Sequence, residues 1–410
     1  MRLIIVSQHF FPDTFRVNDI AFALRERGHA VRVVTGLPDY DTGAVPPAYR
    51  RFRKRREAVR GVEVTRLPTA RRRRGAFWRF VNYASFALEG WLYACFMRRG
   101  APADAVISYQ TSPVSQAIPA NRLARRFRCP YLLYCLDLWP ESMKAWGVGE
   151  RSLIYRAVSR VSGRIYRSAD LLAVCSQPFA RYLTDTHGVK PERMRYLPQH
   201  CEELYGQSAC QYEENGVMDF VFAGNLGAAQ DAACILRAVA LLRDVNGFHV
   251  HIVGGGSELD TLYNMSDGLG VRERVTFHGR QPLERMPEYY RLADAFLLTL
   301  AGGCFVGQTL PGKLQSYMAA GKPVAAAVDG AAAELLAETG CGLRAPASDA
   351  RGLADRMTQL MADAPRARAM GEKGRAYFER HFRREVFLDR LEELIRETVD
   401  SGTRGGQYHV

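Results

Sequence analysis

The sequence predicts an α/β protein built of two doubly wound parallel-sheet domains facing a central cleft, and three observations lead there. At 410 residues the chain exceeds the size at which one hydrophobic core stops growing, so it divides in two. Two distant segments open alike, each with an apolar strand, a polar or glycine-containing turn, an amphipathic helix and a second strand. Apolar runs then alternate with helical patterns through both halves, as in parallel sheets covered on both faces. With 47% hydrophobic and 24% charged residues the chain can fill both cores, and collagen, a disulfide mini-protein and a long disordered tail are excluded.

Element by element, 3–7 is the first strand, a helix follows near 17–27 and stops at Gly28, and 30–35 is the second strand. Strand-like runs continue at 105–108, 131–135 and 171–175. Residues 205–218 (YGQSACQYEENGVM) are polar and weakly periodic, which places a linker between domains over 1–205 and 216–383. The second domain begins with a strand over 219–223, the turn Gly224-Asn225-Leu226-Gly227, a helix near 231–243 and a strand over 248–253. Runs at 275–277, 295–300 and 323–327 extend its sheet, and a helix near 384–399 crosses back onto the first domain. Ligands of such sheets bind at the strands' carboxyl ends.

The opening MRLIIVSQHF has no separate charged region and no small-residue cleavage site, so it reads as a strand in a protein that stays inside the cell. Nine cysteines form no C-x-x-C pair and leave an odd one over, which fits a reducing cytoplasm better than zinc. Fifty-six Lys and Arg against 43 Asp and Glu give +13, and eleven of the cations fall in 50–60 (RRFRKRREAVR) and in Arg71, Arg72, Arg73 and Arg74. Such runs are either solvated faces or contacts for polyanions: nucleic acid, anionic lipid or phosphorylated substrates. Residues 76–97 are long and apolar enough for a membrane span, yet Arg79, Asn82 and Glu89 lie inside them. Each central charge costs about 2.5–3.5 kcal/mol, so the stretch is read as a mostly buried helix with one face at a membrane surface. Phe77, Trp78, Tyr83 and Trp91, with arginines at both ends, suit docking on anionic lipid.

A dinucleotide cofactor is disfavoured, because SQHFFPDTFRVND after the first strand lacks glycine and GGGSEL (254–259) lacks the third glycine of the fingerprint. No G-x-x-x-x-G-K-[ST] loop is present either. Gly224-Asn225-Leu226-Gly227, between a strand and a helix, is a structural turn or an anion site made by free N–H groups and the helix dipole. Pro311-Gly312-Lys313 adds a lysine at another helix start in the same domain. Two helix starts and one lysine would cradle a diphosphate without a metal; otherwise Lys313 is a surface lysine.

The runs GHAVRVVTGLPDYDTG (28–43), DLWPES (137–142), FAGNLGAAQ (222–230), HIVGGGSELDTL (251–262), VTFHGRQPLERMPEYYRLADAFLLTL (275–300) and LPGKLQSYMAAGKPV (310–324) together resemble glycosyltransferase family 4. Within it they look most like the bacterial enzymes of O-antigen, capsule and exopolysaccharide synthesis that transfer amino sugars. The likeness covers nearly the whole chain in order. It implies a GT-B fold of two Rossmann-like domains, a nucleotide-sugar donor held mainly by the C-terminal one, an acceptor held by the N-terminal one, and transfer with retention. Carried over by position, Gly224, Asn225 and Gly227 match the loop at the donor diphosphate, and Lys313 matches the basic residue on its phosphates. Gly279 and Arg280 fall where relatives hold the base, and Pro311, Gly312 and Leu314 lie next to the donor sugar.

Two departures from the family stand out. Many members carry a Glu-x7-Glu pair contacting the donor sugar and the ribose; here Gln308 and Ser316 occupy those positions, able to hydrogen-bond but uncharged. Where a histidine often precedes an aspartate, Leu136 precedes Asp137. Asp137 alone is therefore expected near the reacting centre, the alternative being that it caps the following turn. The usual glycine after the first strand is missing too, and Arg16 and Asn18 stand in that region, where an arginine could bind phosphate bidentately or serve the acceptor. His9, and likewise His200, is either a site residue or a satisfied structural histidine. Asp39-Tyr40-Asp41 spells DxD but follows a Gly-Leu-Pro turn and is read as loop chemistry; no essential metal and no cofactor beyond the donor are expected.

The expected protein is a metal-independent, retaining glycosyltransferase, peripheral on the inner face of the cell membrane. It moves a sugar, by subfamily resemblance a UDP-linked N-acetylated amino or deoxy sugar, to a polyprenyl-diphosphate-linked saccharide. The alternatives are a nucleotide-sugar epimerase of the same architecture, which needs no lipid-facing helix, and a catalytically silent nucleotide-sugar-binding protein with Gln308 and Ser316 as the cause. Nucleic acid is not an expected partner, since no RNA- or DNA-module signature is present.

Overall fold

The computed structural model describes residues 1–40, 43–72, 75–97, 102–207, 210–212, 215–303 and 305–404. It divides into two units, Met1–Leu197 with the chain from Leu388 onward, and Pro198–Phe387.

The first unit holds eight strands: β1 (Arg2–Val6), β2 (Ala30–Thr35), β3 (Arg56–Val59), β4 (Val62–Arg66), β5 (Ala105–Gln110), β6 (Tyr131–Cys135), β7 (Leu171–Val174) and β8 (Met194–Tyr196). Their order is β3-β4-β2-β1-β5-β6-β7-β8, and every pair is parallel except β3–β4. Leu3 lies beside Val31 on one side and Ala105 on the other, so the strand order reverses at β1 and β5. β5 and β6 are buried along their whole length, as helix-covered parallel strands are.

The hairpin β3–β4 is absent from the sequence reading, which took 50–60 as a charge run. Its cations explain the miss, since they obscure the alternation of a strand that is exposed at the sheet edge. Arg66 closes it from inside, giving Nε and Nη2 to Glu57 (3.0 and 2.6 Å) and Nη2 to the Phe11 carbonyl (2.6 Å). Charged side chains on an edge strand also block pairing with another sheet.

The helix Ala76–Phe96 follows the predicted span closely. Asn82 within it is buried, donating to the Ala70 carbonyl (2.5 Å) and accepting from Gln8 Nε2 (2.7 Å). That amide ties the helix to the loop after β1. Among the described residues, no helix is long and apolar enough to cross a membrane. The C-terminal helix Arg384–Arg404 runs further than its apolar periodicity predicts, and Asp389 and Glu392 on it bond Arg27 (2.7 Å) and His29 (2.6 Å). Glu397 pairs with Arg195.

The second unit holds β9 (Met218–Ala223), β10 (Phe248–Val253), β11 (Val275–Gly279), β12 (Ala295–Thr299), β13 (Val324–Ala327) and β14 (Gly342–Ala345), all parallel, in the order β11-β10-β9-β12-β13-β14. Here the order reverses at β9 and β12. Phe220, Phe222, Val250, Ile252 and Leu297 pack beneath the flanking helices on one face, and Val221, Phe296, Leu314 and Tyr317 on the other.

Candidate active site

In the second unit, the predicted donor residues meet at the carboxyl ends of β9, β10 and β11. Gly224 leaves β9 at φ +143° and Gly254 leaves β10 at φ +154°. Their backbones touch: a Cβ on Gly254 would lie 1.8 Å from the Gly224 carbonyl oxygen, and one on Gly224 would lie 2.3 Å from Lys313 Cε. Leu226 N donates to Gly255 O (2.9 Å) and Gly254 N to Gly279 O (2.9 Å), so the turn at 224–227, the glycine run at 254–256 and Gly279 form one platform. Asn225 and Arg280 are exposed on it, Arg280 packing its Cβ against Gly255. The glycine run that fails as a dinucleotide fingerprint thus serves close backbone packing.

The helix Gly312–Ala320 starts behind this platform, with Pro311 at its N-cap and Gly312 exposed. Lys313 passes under Gly224, its Nζ 3.8 Å from the Phe222 ring centroid and donating to Gln230 Oε1 (2.8 Å). Burial pushes this ammonium from the usual 10.5 down to about 7. A largely desolvated cation with a neutral acceptor and an aromatic face lacks the anion that would hold its proton. Phe222 and Gln230 stand at the two ends of the run FAGNLGAAQ, yet neither was singled out there, being an ordinary apolar residue in a strand and an ordinary polar residue in a loop. Tyr317, one helical turn beyond Lys313, spans both main-chain groups of Ala223, accepting from its N–H (3.0 Å) and donating to its carbonyl (3.3 Å).

Two donor expectations need correction. Ser316 is buried, donates to the Lys313 carbonyl (2.9 Å) and lies 2.8 Å from the Tyr290 hydroxyl, so its side chain faces the core instead of the platform. Leu314 is wholly buried and offers only its backbone. Gln308 is half-buried at the end of the turn Phe305–Gln308, where Gly307 packs on Gly330.

In the first unit, Asp137 follows β6. Its Oδ2 accepts from Trp139 Nε1 (3.0 Å), its Oδ1 from Ser142 Oγ, and its carbonyl from Gln110 Nε2 (3.0 Å). Trp139 Nε1 also reaches Ser112 Oγ (3.2 Å). Burial raises the Asp137 carboxyl above its usual value. Both oxygens therefore hold the turn that Asp137 starts, the capping alternative.

The loop after β1 is also packed on itself, although His9 Nδ1 is buried there without a hydrogen-bond partner. His9 is buried, stacked on Phe15 (5.0 Å) and edge-on to Tyr40 (4.8 Å), and burial beside Arg72 pushes it down to about 3. Uncharged, it is no phosphate cation. Asn18 is a staple and not a ligand: it accepts from Phe11 N (2.9 Å) and donates to Asp13 O (2.8 Å). Arg16, half-buried, opens the helix Arg16–Glu26.

Of the proposed docking arginines, Arg71 is exposed, whereas Arg72 folds inward over the Tyr40 ring (4.4 Å). Arg73 and Arg74 lie outside the described residues, as do Arg98, Arg99, Asp41 and Cys304. Phe77, Trp78 and Trp91 are exposed. Asp39 of the DxD is buried and accepts from the Arg72 N–H (2.6 Å). No group of three His, Cys, Asp or Glu able to hold a metal occurs among the described residues.

Two doubly wound units, one ending in a glycine platform over a half-buried lysine, define the GT-B fold class. The chain carries two glycosyltransferase family domains, a "Glycosyl transferase 4-like domain" over residues 14–200 and a "Glycosyl transferases group 1" domain over 213–377. A GDP-mannose-dependent alpha-(1-6)-phosphatidylinositol monomannoside mannosyltransferase of Mycobacterium tuberculosis is 32% identical over 160 residues, 38% of this chain and 41% of that protein. A D-inositol 3-phosphate glycosyltransferase of Nocardia farcinica is 30% identical over 237 residues, 54% of this chain and 51% of that protein. The chain thus spans about half or less of the length of these curated relatives. Among solved structures, Anabaena HepE in complex with UDP and glucose superposes with a TM-score of 0.65 at 16% identity, covering 96% of this chain and 99% of that one, which shows the shared fold.

Proposed function

We propose that this protein is a retaining glycosyltransferase that moves a sugar from a UDP-linked donor to a polyprenyl-diphosphate-linked saccharide in surface-polysaccharide synthesis. The observation that carries this reading is Lys313, a half-buried ammonium at a helix start directly beneath the glycine turn at 224–227. Cleaving the bond from the anomeric carbon to the diphosphate oxygen leaves the electron pair on the diphosphate and oxocarbenium character on the ring. Lys313 and the N–H groups of the two turns stabilise that developing charge at fixed positions, more in the transition state than in the ground state. The acceptor hydroxyl attacks on the face the diphosphate leaves, and its proton passes to a diphosphate oxygen, so neither a nucleophile nor a metal is needed. Asp137 acts through Trp139 and Ser142, shaping the acceptor side.

The acceptor and the membrane setting rest on the first unit, whose exposed Phe77, Trp78, Phe80 and Phe96 on one helix suit an anionic membrane surface on the inner face of the cell membrane. The UDP and glucose held by the HepE structure support the donor reading. A second reading, a GDP-mannose donor, is favoured by the mannosyltransferase relative.

Nucleoside diphosphate release from a panel of UDP- and GDP-sugars, with and without a lipid-diphosphate saccharide extract, tests all of this. Acceptor-dependent release that collapses in Lys313→Ala is the expected result and identifies the donor. Binding without release across the panel would replace the transferase with a silent binder.

A further inference from the structure

An apolar groove of about 570 Å³ runs across the first unit between the helices Ala76–Phe96 and Leu153–Arg167. Leu88, Trp91, Trp139, Ile154, Val158 and Val161 line it, and Ser115 and Tyr83 supply the only hydroxyl groups in the lining. Ile154 and Leu88 are 62% and 58% exposed, so the groove is open along its rim. Outside it, Arg156, Arg160 and Arg164 stand exposed one turn apart on the same helix, and none is ion-paired among the described residues.

We propose that this groove binds the isoprenoid chain of the acceptor, with the arginine stripe facing the anionic headgroups around its mouth. The inference rests on the lipid-linked acceptor reading above and adds where the chain is held. A peptide brings one donor and one acceptor per residue, and this lining leaves nearly all of them unmatched. A second copy of the chain would set arginine stripe against arginine stripe. A hydrocarbon chain needs no polar partner, and each CH₂ it buries strengthens binding about fourfold. The groove also ends at the acceptor side: Trp139 forms its wall with the ring and holds Ser112 and Asp137 with its indole N–H. A chain lodged there leaves its head beside that turn.

Equilibrium binding of geranyl and geranylgeranyl diphosphate, followed by intrinsic tryptophan fluorescence below their aggregation concentrations, tests the assignment. Wild-type protein is expected to bind the longer chain at least about tenfold tighter. Ala87→Phe and Val158→Phe, which fill the groove, should bring the longer chain down to the affinity of the shorter, while Leu241→Ser on the second unit leaves both unchanged. Should filling disturb folding, Val161→Ser on the rim still weakens only the longer chain, by about fourfold or more. Equal affinities for both chains in the wild type, or a length preference that survives filling, overturn the groove. Sugar transfer with no dependence on chain length would overturn it and leave the transferase standing; length-dependent binding without transfer from any donor would do the reverse.

Discussion

Nucleoside diphosphate binding should weaken with rising pH, with Lys313 setting the slope. Burial under Gly224 holds the free site's ammonium at about 7 against the usual 10.5. A diphosphate bound beside it supplies the missing anion and keeps the proton on to well above about pH 9. Between about pH 7 and about pH 9 the free lysine is neutral and the occupied one charged, so about one proton is taken up per ligand. Linkage then lowers affinity about tenfold per pH unit, about a hundredfold across the window. Below about pH 7 both states are charged and the slope vanishes, and the phosphate's own ionisation near pH 6 lies outside the window. Calorimetric titration of UDP at about pH 8, in two buffers of different ionisation enthalpy, counts the proton: about one for wild type and none for Lys313→Met. The same group acts on the ligand-free fold in the opposite sense. The unfolded lysine keeps its proton to 10.5 and the folded one sheds it near 7, so stability is lowest below 7 and rises with pH across that interval. Lys313→Met should therefore raise the melting temperature at neutral pH while weakening UDP binding, with the residual affinity flat between about pH 7 and about pH 9. No proton uptake by the wild type, or the same pH slope in Lys313→Met, would refute the placement of Lys313 on the phosphates.

Three further outcomes follow from the same geometry. Gly254→Ala drives a Cβ to 1.8 Å from the Gly224 carbonyl at a φ of +154°, and should cost about 3 kcal/mol or more by urea unfolding together with loss of donor binding. Ser316→Ala removes a hydroxyl bonded only inward, so stability should fall by at most about 1.5 kcal/mol while donor KM stays within about twofold; a much larger rise in KM would restore the ribose contact. His9→Gln should leave the pH–rate profile unchanged between about pH 5 and about pH 8, because His9 titrates at about 3.

The glycine platform was legible because glycine turns and helix starts announce themselves locally: Gly224, Gly227 and Pro311-Gly312-Lys313 need no knowledge of the partner strand. Helix rotation was not legible. Ser316 lies one turn from Lys313, yet its hydroxyl points at Tyr290 while the lysine points at Phe222, a choice made by packing against β9 and the helix Met286–Leu292. Polar residues in loops were overread for a related reason. Asn18 and His9 satisfy or bury themselves within their own loop, and no spacing rule separates such staples from ligands. The hairpin β3–β4 was lost beneath its own charge, and Asn82, read as an argument against a membrane span, proved to be the helix's anchor to Gln8.

The bonds of the C-terminal helix to Arg27, His29 and Arg195 bear on how the chain is made. Leu388, Leu391 and Ile395 are buried, and they belong to a unit whose other residues end at Leu197. The 190 residues from Pro198 to Phe387 must be translated before that unit can close. At about 5–20 residues per second the wait is roughly 10–40 s. Throughout it, the early half stands beside the ribosome with its binding face for this helix bare, so synthesis of the late domain times the completion of the early one. A chain cut between the units should consequently yield a first half that is sticky on its own and is rescued by the C-terminal helix supplied as a separate peptide.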